Sequence, residues 1–305
     1  MNQSTQKIPA HAAGTFKIAG EIEINRLGFG AMRIVGKGVW GEPADRNKSL
    51  ATLKLTQELG INFIDTADSY GPFISEDLIC EALYPYPKGL LIATKGGHTR
   101  HGPDIWRPIG NTDYLRQCVL MSMRRLKCKH IDLWQLHRVG KDVSPEEQFE
   151  AIAQMQKEGL IRHIGLSEVD VEMIERTKKY FNIVTVQNRF NLFNRHSEDV
   201  LNYCEKHHIG FIPWAPLNAG KFAESTSVLK EIAHQKDATV NQIALAWLLK
   251  RSPVILPIPG TGSPEHLREN VASVHVKLTD HEFERLNQAG EKEWQKMKEM
   301  MNLSR

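Results

Sequence analysis

The chain has 305 residues, 41% of them hydrophobic and 25% charged, an ordinary composition for a soluble globular protein with a large core. The net charge of +3 is too small to favour nucleic acid as a partner, since lysines and arginines are interspersed with acidic residues. No run of 18 apolar residues predicts a membrane span, and four cysteines without a CxxC pair are typical of reduced thiols in the cytoplasm.

The chain opens on a polar segment. Residues 1–14 lack the apolar stretch of a signal peptide, so we expect a flexible tail there and one domain over residues 15–305. The first residues of that domain, TFKIAGEIEIN, alternate in hydropathy around Ala19 and Gly20, which predicts a short β-hairpin.

Eight apolar runs then recur along the chain, and each is followed by an amphipathic stretch of helical period. The runs cover residues 27–32, 61–65, 90–95, 131–137, 162–167, 183–187, 210–215 and 254–260. The predicted helices cover residues 45–59, 75–83, 111–127, 145–158, 170–179, 197–208, 227–251 as two helices, 264–273 and 280–298. Ser144 and Ser263 each precede a proline, a pattern that indicates a helix start.

Eight strand–helix units without a linker predict an α/β fold, a (β/α)8 TIM barrel with an N-terminal hairpin and a C-terminal helical extension. The alternative is a doubly wound open sheet, which usually carries a G-x-G-x-x-G turn after its first strand. Residues 28–32 read GFGAM and lack the third glycine, so the barrel is favoured.

Polar residues stand where the buried runs end. Asp65, Lys95 and His137 close three of the runs, and Tyr70 lies in the loop after Asp65. Taken singly, they could be a helix cap, half of an ion pair, a core histidine and a surface tyrosine. Strand carboxyl ends meet at one face of a barrel, however, so their joint occurrence favours an active site. A lysine ammonium there would lower the pKa of the tyrosine, and the carboxylate would hold the lysine charged. The same face is expected to collect Ser167, Gln187 and Trp214.

Several segments in this order resemble the aldo-keto reductase family over nearly the full chain. They are GFGAM, NFIDTADSYG, LLIATKGG, IDLWQLHR, IRHIGLSE, VQNRFNL, GFIPWAPL and PIPGTGSPEHLRENV. The resemblance implies a (β/α)8 barrel that transfers hydride from NADPH to an aldehyde or ketone. It also implies that Asp65, Tyr70, Lys95 and His137 are the catalytic residues. Tyr70 would protonate the carbonyl oxygen, and His137 would orient it.

The resemblance further implies the cofactor contacts. Ser167 and Gln187 match positions that bind the nicotinamide carboxamide, but Glu168 stands where relatives often have asparagine. Trp214 matches the aromatic residue that packs on the nicotinamide ring. The remaining cofactor positions are Pro216, Leu217 and Asn218 along the pyrophosphate, Gly260, Thr261, Gly262 and Ser263 at the phosphates, and Glu269 and Asn270 at adenine. Gly30 and Met32 are also cofactor positions. The lysine that often binds the 2′-phosphate is replaced by Gly260; with Ser263, His266 and Arg268 still available, NADPH is expected over NADH.

The loops at 33–42 and 96–110 are expected to decide the substrate, a small-molecule carbonyl compound. The candidate contacts are Arg33, Trp40, His98, Trp106 and Arg138. This composition fits an aromatic or anionic carbonyl compound, although it equally fits solvated loops. The segments TFKIAG, NRLGFGAMRI, VWG and TADSYGP also resemble a bacterial subgroup that includes pyridoxal reductases.

The sequence is also compatible with two other functions. A strand-end lysine in a barrel is also typical of a Schiff-base aldolase acting through Lys95. A cofactor-sensing regulatory subunit, such as the potassium-channel β subunits, would carry the same four residues. The first run has no H-x-H pair, so no metal site is expected. The oligomeric state is left open, and a monomer is compatible with the sequence.

Overall fold

The computed structural model describes residues 10–218 and 226–303. A hairpin of β1 (Thr15–Ile18) and β2 (Ile22–Asn25) turns at Gly20, whose φ of +75° a glycine adopts without strain. Its Ile18 and Ile24 are fully buried against residues that begin barrel strands, such as Phe63. The hairpin predicted over TFKIAGEIEIN is therefore confirmed, and it closes the end of the barrel at which the strands begin.

Seven parallel strands form one curved sheet in the order β11-β10-β9-β8-β5-β4-β3. These strands are β3 (Phe29–Gly30), β4 (Phe63–Asp65), β5 (Leu91–Gly96), β8 (Ile131–Leu136), β9 (Ile161–Ser167), β10 (Ile183–Gln187) and β11 (Gly210–Phe211). All seven come from predicted runs, and sequence neighbours are sheet neighbours, as a barrel requires.

The eighth run joins the two edges of this sheet. The backbone N–H of Phe211 donates to Val254 O at 2.8 Å, and Leu256 N–H donates back to Phe211 O at 2.8 Å. On the other edge, Gly28 N–H donates to Pro257 O at 2.9 Å. The (β/α)8 barrel is thus confirmed, but this run makes a bridge rather than a regular strand, because its prolines have no N–H to donate.

The helices cover the outside of the barrel and agree with the predicted stretches to within a few residues. They are α1 (Arg46–Glu58), α2 (Ile74–Leu83), α3 (Thr112–Arg125), α4 (Pro145–Lys157), α5 (Val171–Thr177), α6 (Glu198–Lys206), α7 (Ser227–Gln235), α8 (Val240–Arg251), α9 (Pro264–Ala272) and α10 (Asp280–Leu303). The division of 227–251 into two helices is confirmed, because Thr239 begins α8 with a capping box to Gln242. Among the described helices, none is both long and apolar enough to span a membrane.

Two segments differ from expectation. The loop 96–110 contains a second hairpin of β6 (His98–Arg100) and β7 (Trp106–Pro108), which stands over the carboxyl ends of the strands. Within the predicted tail, residues 1–9 lie outside the described chain, whereas Ala10–Ala13 form one 3-10 turn with Ala10 buried.

Candidate active site

A cleft of about 1250 Å³ opens at the carboxyl ends of the strands. Asp65, Ser167 and Gln187 are the last residues of β4, β9 and β10, and His137 directly follows β8. These four side chains line the cleft together with Tyr70. Parallel strands end at the same height, so residues far apart in sequence meet at one place.

Lys95 lies beneath the cleft in a buried ion pair. Its Nζ is 2.6 Å from Asp65 Oδ1 and donates to Thr66 O at 2.7 Å, and neither charged side chain is more than 2% exposed. The other carboxylate oxygen, Asp65 Oδ2, accepts from Gln135 Nε2 at 3.0 Å and from Gln187 Nε2 at 2.9 Å. Burial lowers the pKa of Lys95, but Asp65 and Tyr70 outweigh it and raise the pKa above its usual value. The ammonium is therefore charged at all physiological pH values.

Tyr70 sits above this pair, with Lys95 Nζ 5.1 Å from its ring centroid. Burial raises the pKa of Tyr70, Lys95 lowers it, and Asp65 raises it again, so the net direction is upward. From the lysine alone, the sequence predicts a lowered pKa for Tyr70. The structure changes the net direction because desolvation of the phenolate outweighs the attraction to the ammonium.

His137 contacts Tyr70 edge to face, with ring centroids 5.9 Å apart, and its Nδ1 is 3.2 Å from Ser69 Oγ. Burial and four neighbouring groups, His98, Lys95, Arg138 and Arg100, hold the pKa of His137 well below its usual value. The imidazole is therefore neutral at physiological pH, with one nitrogen that donates and one that accepts.

Most predicted cofactor positions line the same cleft. They are Gly30, Met32, Ser167, Gln187, Trp214, Pro216, Leu217, Gly260, Thr261, Gly262, His266, Glu269 and Asn270. Asn218 and Ser263 lie outside its lining, within the part of the chain that the structure describes. Ser263 is the N-cap of α9 and accepts from His266 N–H at 3.4 Å, while Asn218 closes a turn onto Ala215 O at 3.0 Å.

Of the predicted substrate contacts, Arg33, His98, Trp106 and Arg138 line the cleft. Among the described residues, 10–218 and 226–303, Trp40 is not part of the cleft lining. The guanidinium carbon of Arg100 is 3.5 Å from the Trp106 ring centroid and 5.7 Å from that of Trp40. The arginine thus contacts both indoles.

The structure adds contacts that the sequence did not indicate. Gln135 supports Asp65 from inside β8, and its polar side chain within the run IDLWQLH was the available signal. Arg100 donates to Val39 O and Ser69 O, both at 2.7 Å, and so connects the 33–42 loop to the Tyr70 loop. Glu168 accepts from the indole N–H of Trp214 and from Arg189 N–H. The departure from asparagine at position 168 therefore orients the tryptophan.

The far half of the cleft has the shape that a dinucleotide needs. A Cβ at Gly260 would lie 2.7 Å from Gly30 O, so both glycines are required where the first and eighth runs approach. The amino end of α9 follows directly, where the helix dipole and backbone N–H groups favour phosphate. Arg33, predicted as a substrate contact, instead lies against Gly260 and Gly262 in this region, and His266 also lines the cleft. The residues present fit a phosphorylated nicotinamide dinucleotide.

A barrel with a titratable cluster of this kind at its strand ends and a dinucleotide cleft is the architecture of a reductase. A sequence model of the Aldo/keto reductase family matches residues 26–291, and the protein belongs to this family of oxidoreductases.

Individual members of the family are similar to this chain over most of its length. An uncharacterized oxidoreductase of Schizosaccharomyces pombe is 53% identical over 97% of this chain and 96% of its own length. The pyridoxine 4-dehydrogenase of Escherichia coli is 38% identical over 88% of this chain and 96% of its own length. An aldo/keto reductase from Klebsiella pneumoniae, crystallised with NADP and acetate, matches with a TM-score of 0.75 at 25% identity, over 90% of this chain and 94% of that one.

Proposed function

We propose that the protein reduces aldehydes and ketones to alcohols with NADPH, with Tyr70 as the general acid. The observation that carries this proposal is the buried Lys95–Asp65 pair, at 2.6 Å, beneath the tyrosine and a neutral histidine. When bound, NADPH supplies the hydride that adds to the carbonyl carbon. Negative charge then develops on the carbonyl oxygen, which must be protonated.

Tyr70 delivers that proton. Its raised pKa keeps the phenol protonated at neutral pH, so the acid is loaded before the reaction begins. Lys95 stabilises the phenolate that forms. Asp65 keeps the lysine in place through an ion pair in which both side chains are at least 98% buried. The raised pKa and the nearby ammonium thus serve successive stages of one proton transfer.

His137 positions the carbonyl oxygen. Its Nδ1 lies 3.2 Å from Ser69 Oγ, and we assign Nδ1 as the acceptor of this hydrogen bond, which puts the hydrogen of the neutral ring on Nε2. This N–H donates to the oxygen as charge develops there, a contribution on the order of 2–4 kcal/mol to transition-state stabilisation in comparable sites.

Pyridoxal is the proposed physiological substrate, and the product is pyridoxine. Tyr70, Trp106 and His137 form an aromatic wall with centroids 5.9–6.2 Å apart, which suits a flat aromatic aldehyde. The similarity to the pyridoxine 4-dehydrogenase of E. coli supports the same choice. Arg33 and His266 in the cleft support NADPH rather than NADH.

The Schiff-base alternative is disfavoured by the lysine itself. An amine must be neutral and accessible to attack a carbonyl, whereas the Lys95 side chain is 0% exposed and its pKa is raised. A purely cofactor-sensing subunit would bind NADPH with negligible turnover, so a rate measurement separates that alternative from a reductase.

The test is NADPH oxidation with pyridoxal, benzaldehyde and a simple ketone. Tyr70→Phe should lower kcat about 10²- to 10⁴-fold, because the proton donor is lost, while quenching of protein fluorescence by NADPH persists. Tyr86→Phe is the matched control, since that hydroxyl donates to Leu126 O on the outside of the barrel. Equal turnover in Tyr70→Phe would contradict the assignment, and a lower KM for NADH than for NADPH would contradict the cofactor choice.

A further inference from the structure

We propose that His98 is a second substrate-binding imidazole, and that it selects carbonyl compounds with a hydroxyl on the carbon next to the one that bears the carbonyl group. For an aromatic aldehyde this is the ortho-hydroxy class. The inference rests on the proposed reductase function and adds to it a specificity residue and a substrate class.

Two imidazoles are in edge-to-face contact at the cleft. The ring centroids of His98 and His137 are 4.3 Å apart at an angle of 87°, and both side chains line the cleft. Trp106 packs on both rings, with centroids 5.8 Å from His98 and 6.2 Å from His137. The backbone of His98 is also fixed, because its carbonyl oxygen accepts from the Tyr114 hydroxyl at 2.6 Å.

The side chain of His98 has unused hydrogen-bonding capacity. It is only 6% exposed, and its Nδ1 is buried without a partner among residues 10–218 and 226–303. No hydrogen bond to Nε2 is formed within that part of the chain either. Because Nδ1 is shielded from the cleft, Nε2 is the ring nitrogen that is left to bind a ligand there.

The ring is also neutral. Burial lowers the pKa of His98 to about 3, and the positive charges of Arg138, Arg100 and Lys95 act in the same direction. A neutral imidazole offers one donor and one acceptor, which suits a hydroxyl group rather than a carboxylate. A hydroxyl group can donate to Nε2 or accept from it, according to the tautomer of the ring.

The substrate class follows from the spacing of the two rings. In an ortho-hydroxy aldehyde the hydroxyl and carbonyl oxygens lie within hydrogen-bonding distance of each other. Two imidazoles with centroids 4.3 Å apart can each meet one of these oxygens. With the carbonyl oxygen at Tyr70 and His137, the hydroxyl reaches His98, and the aromatic ring lies against Trp106.

The experiment compares 2-hydroxybenzaldehyde with 4-hydroxybenzaldehyde, which have the same composition, in the wild type, His98→Phe and His98→Gln. Phenylalanine keeps a ring but removes the hydrogen bond, and glutamine restores a polar group at the reach of Nε2. The ratio of kcat/KM values, 2-hydroxy over 4-hydroxy, should fall about fivefold or more in His98→Phe. It should recover to within about threefold of the wild type in His98→Gln.

His101→Phe is the matched control, since His101 is an exposed histidine in the same hairpin loop, and its ratio should not change. Product binding gives a second readout that needs no variant: 2-hydroxybenzyl alcohol should inhibit the wild type more strongly than 4-hydroxybenzyl alcohol. An unchanged ratio in a folded His98→Phe, or stronger inhibition by the 4-hydroxy isomer, overturns the inference alone. A wild type that oxidises NADPH with neither aldehyde nor with benzaldehyde overturns the reductase proposal itself.

Discussion

The Lys95–Asp65 pair provides the sharpest quantitative test of the site. At 2.6 Å the Coulomb attraction is about 6 kcal/mol with an effective dielectric constant of about 20. Desolvation of both ions offsets most of it, so the pair adds little to net stability. Removing one partner is different, because it leaves the other charge buried and uncompensated, at about 3–5 kcal/mol.

Lys95→Met and Asp65→Asn should therefore each lower the free energy of unfolding by about 3–5 kcal/mol. The double variant carries neither charge, so its loss should be smaller than the sum of the single losses by about 3 kcal/mol or more. The assay is urea unfolding followed by circular dichroism at pH 7, with NADPH oxidation measured on the same preparations. All three variants should lose turnover. The double variant should therefore recover part of the free energy of unfolding without recovering NADPH oxidation.

A surface pair of the same length is the control. Arg116 Nη2 lies 2.6 Å from Glu158 Oε1, but the two side chains are 39% and 33% exposed. The cycle of Arg116→Met and Glu158→Gln should show a coupling close to zero, because water screens the pair. Additive losses at Lys95 and Asp65, or an equal coupling in both cycles, would refute the reasoning that burial makes the inner pair interdependent.

Two further outcomes are expected. Burial, reinforced by the charge of Glu76, raises the pKa of Asp68 to about 7, above its value in the unfolded chain. The protonated carboxyl group therefore makes its full contribution to stability below about pH 4, and this contribution is lost as the pH rises through 7. Asp68→Asn should thus raise the free energy of unfolding, measured with urea, by on the order of 4 kcal/mol at pH 8, and the difference should vanish near pH 4. A gain independent of pH, or the same gain in the exposed Asp77→Asn, would contradict this. Gly260→Ala would place a Cβ 2.7 Å from the backbone oxygen of Gly30, so we expect a stability loss of about 1–3 kcal/mol and a raised KM for NADPH. If neither value changes, the glycine is not required.

Much of the fold could be predicted because it depends on local patterning. The hairpin, the helices and the segments that form strands follow from hydropathy periods of two and 3.6 residues. The amino ends of α4 and α9 follow from a serine before a proline. The meeting of Asp65, Lys95 and His137 also followed, since parallel strands in a barrel end at one face. The roles of these residues, and of the cofactor positions, stay predictions until the variants are measured.

The position of the β6–β7 hairpin over the cleft could not be predicted, because it depends on contacts with distant parts of the chain. Arg100 connects this hairpin to the 33–42 loop and to Ser69. Trp106 lines the cleft and Trp40 does not. Such contacts have no period in the sequence, since they join loops separated by tens of residues.

The amino-acid sequence by itself determined the barrel and the four polar residues at its strand ends, because strand polarity and spacing are local properties. Only the tertiary structure decided how these residues are tuned. Tyr70 is protonated because burial outweighs its lysine, and His98 lies beside His137 because a loop hairpin packs over the cleft. Burial and proximity are properties of the folded surroundings, to which distant parts of the chain contribute.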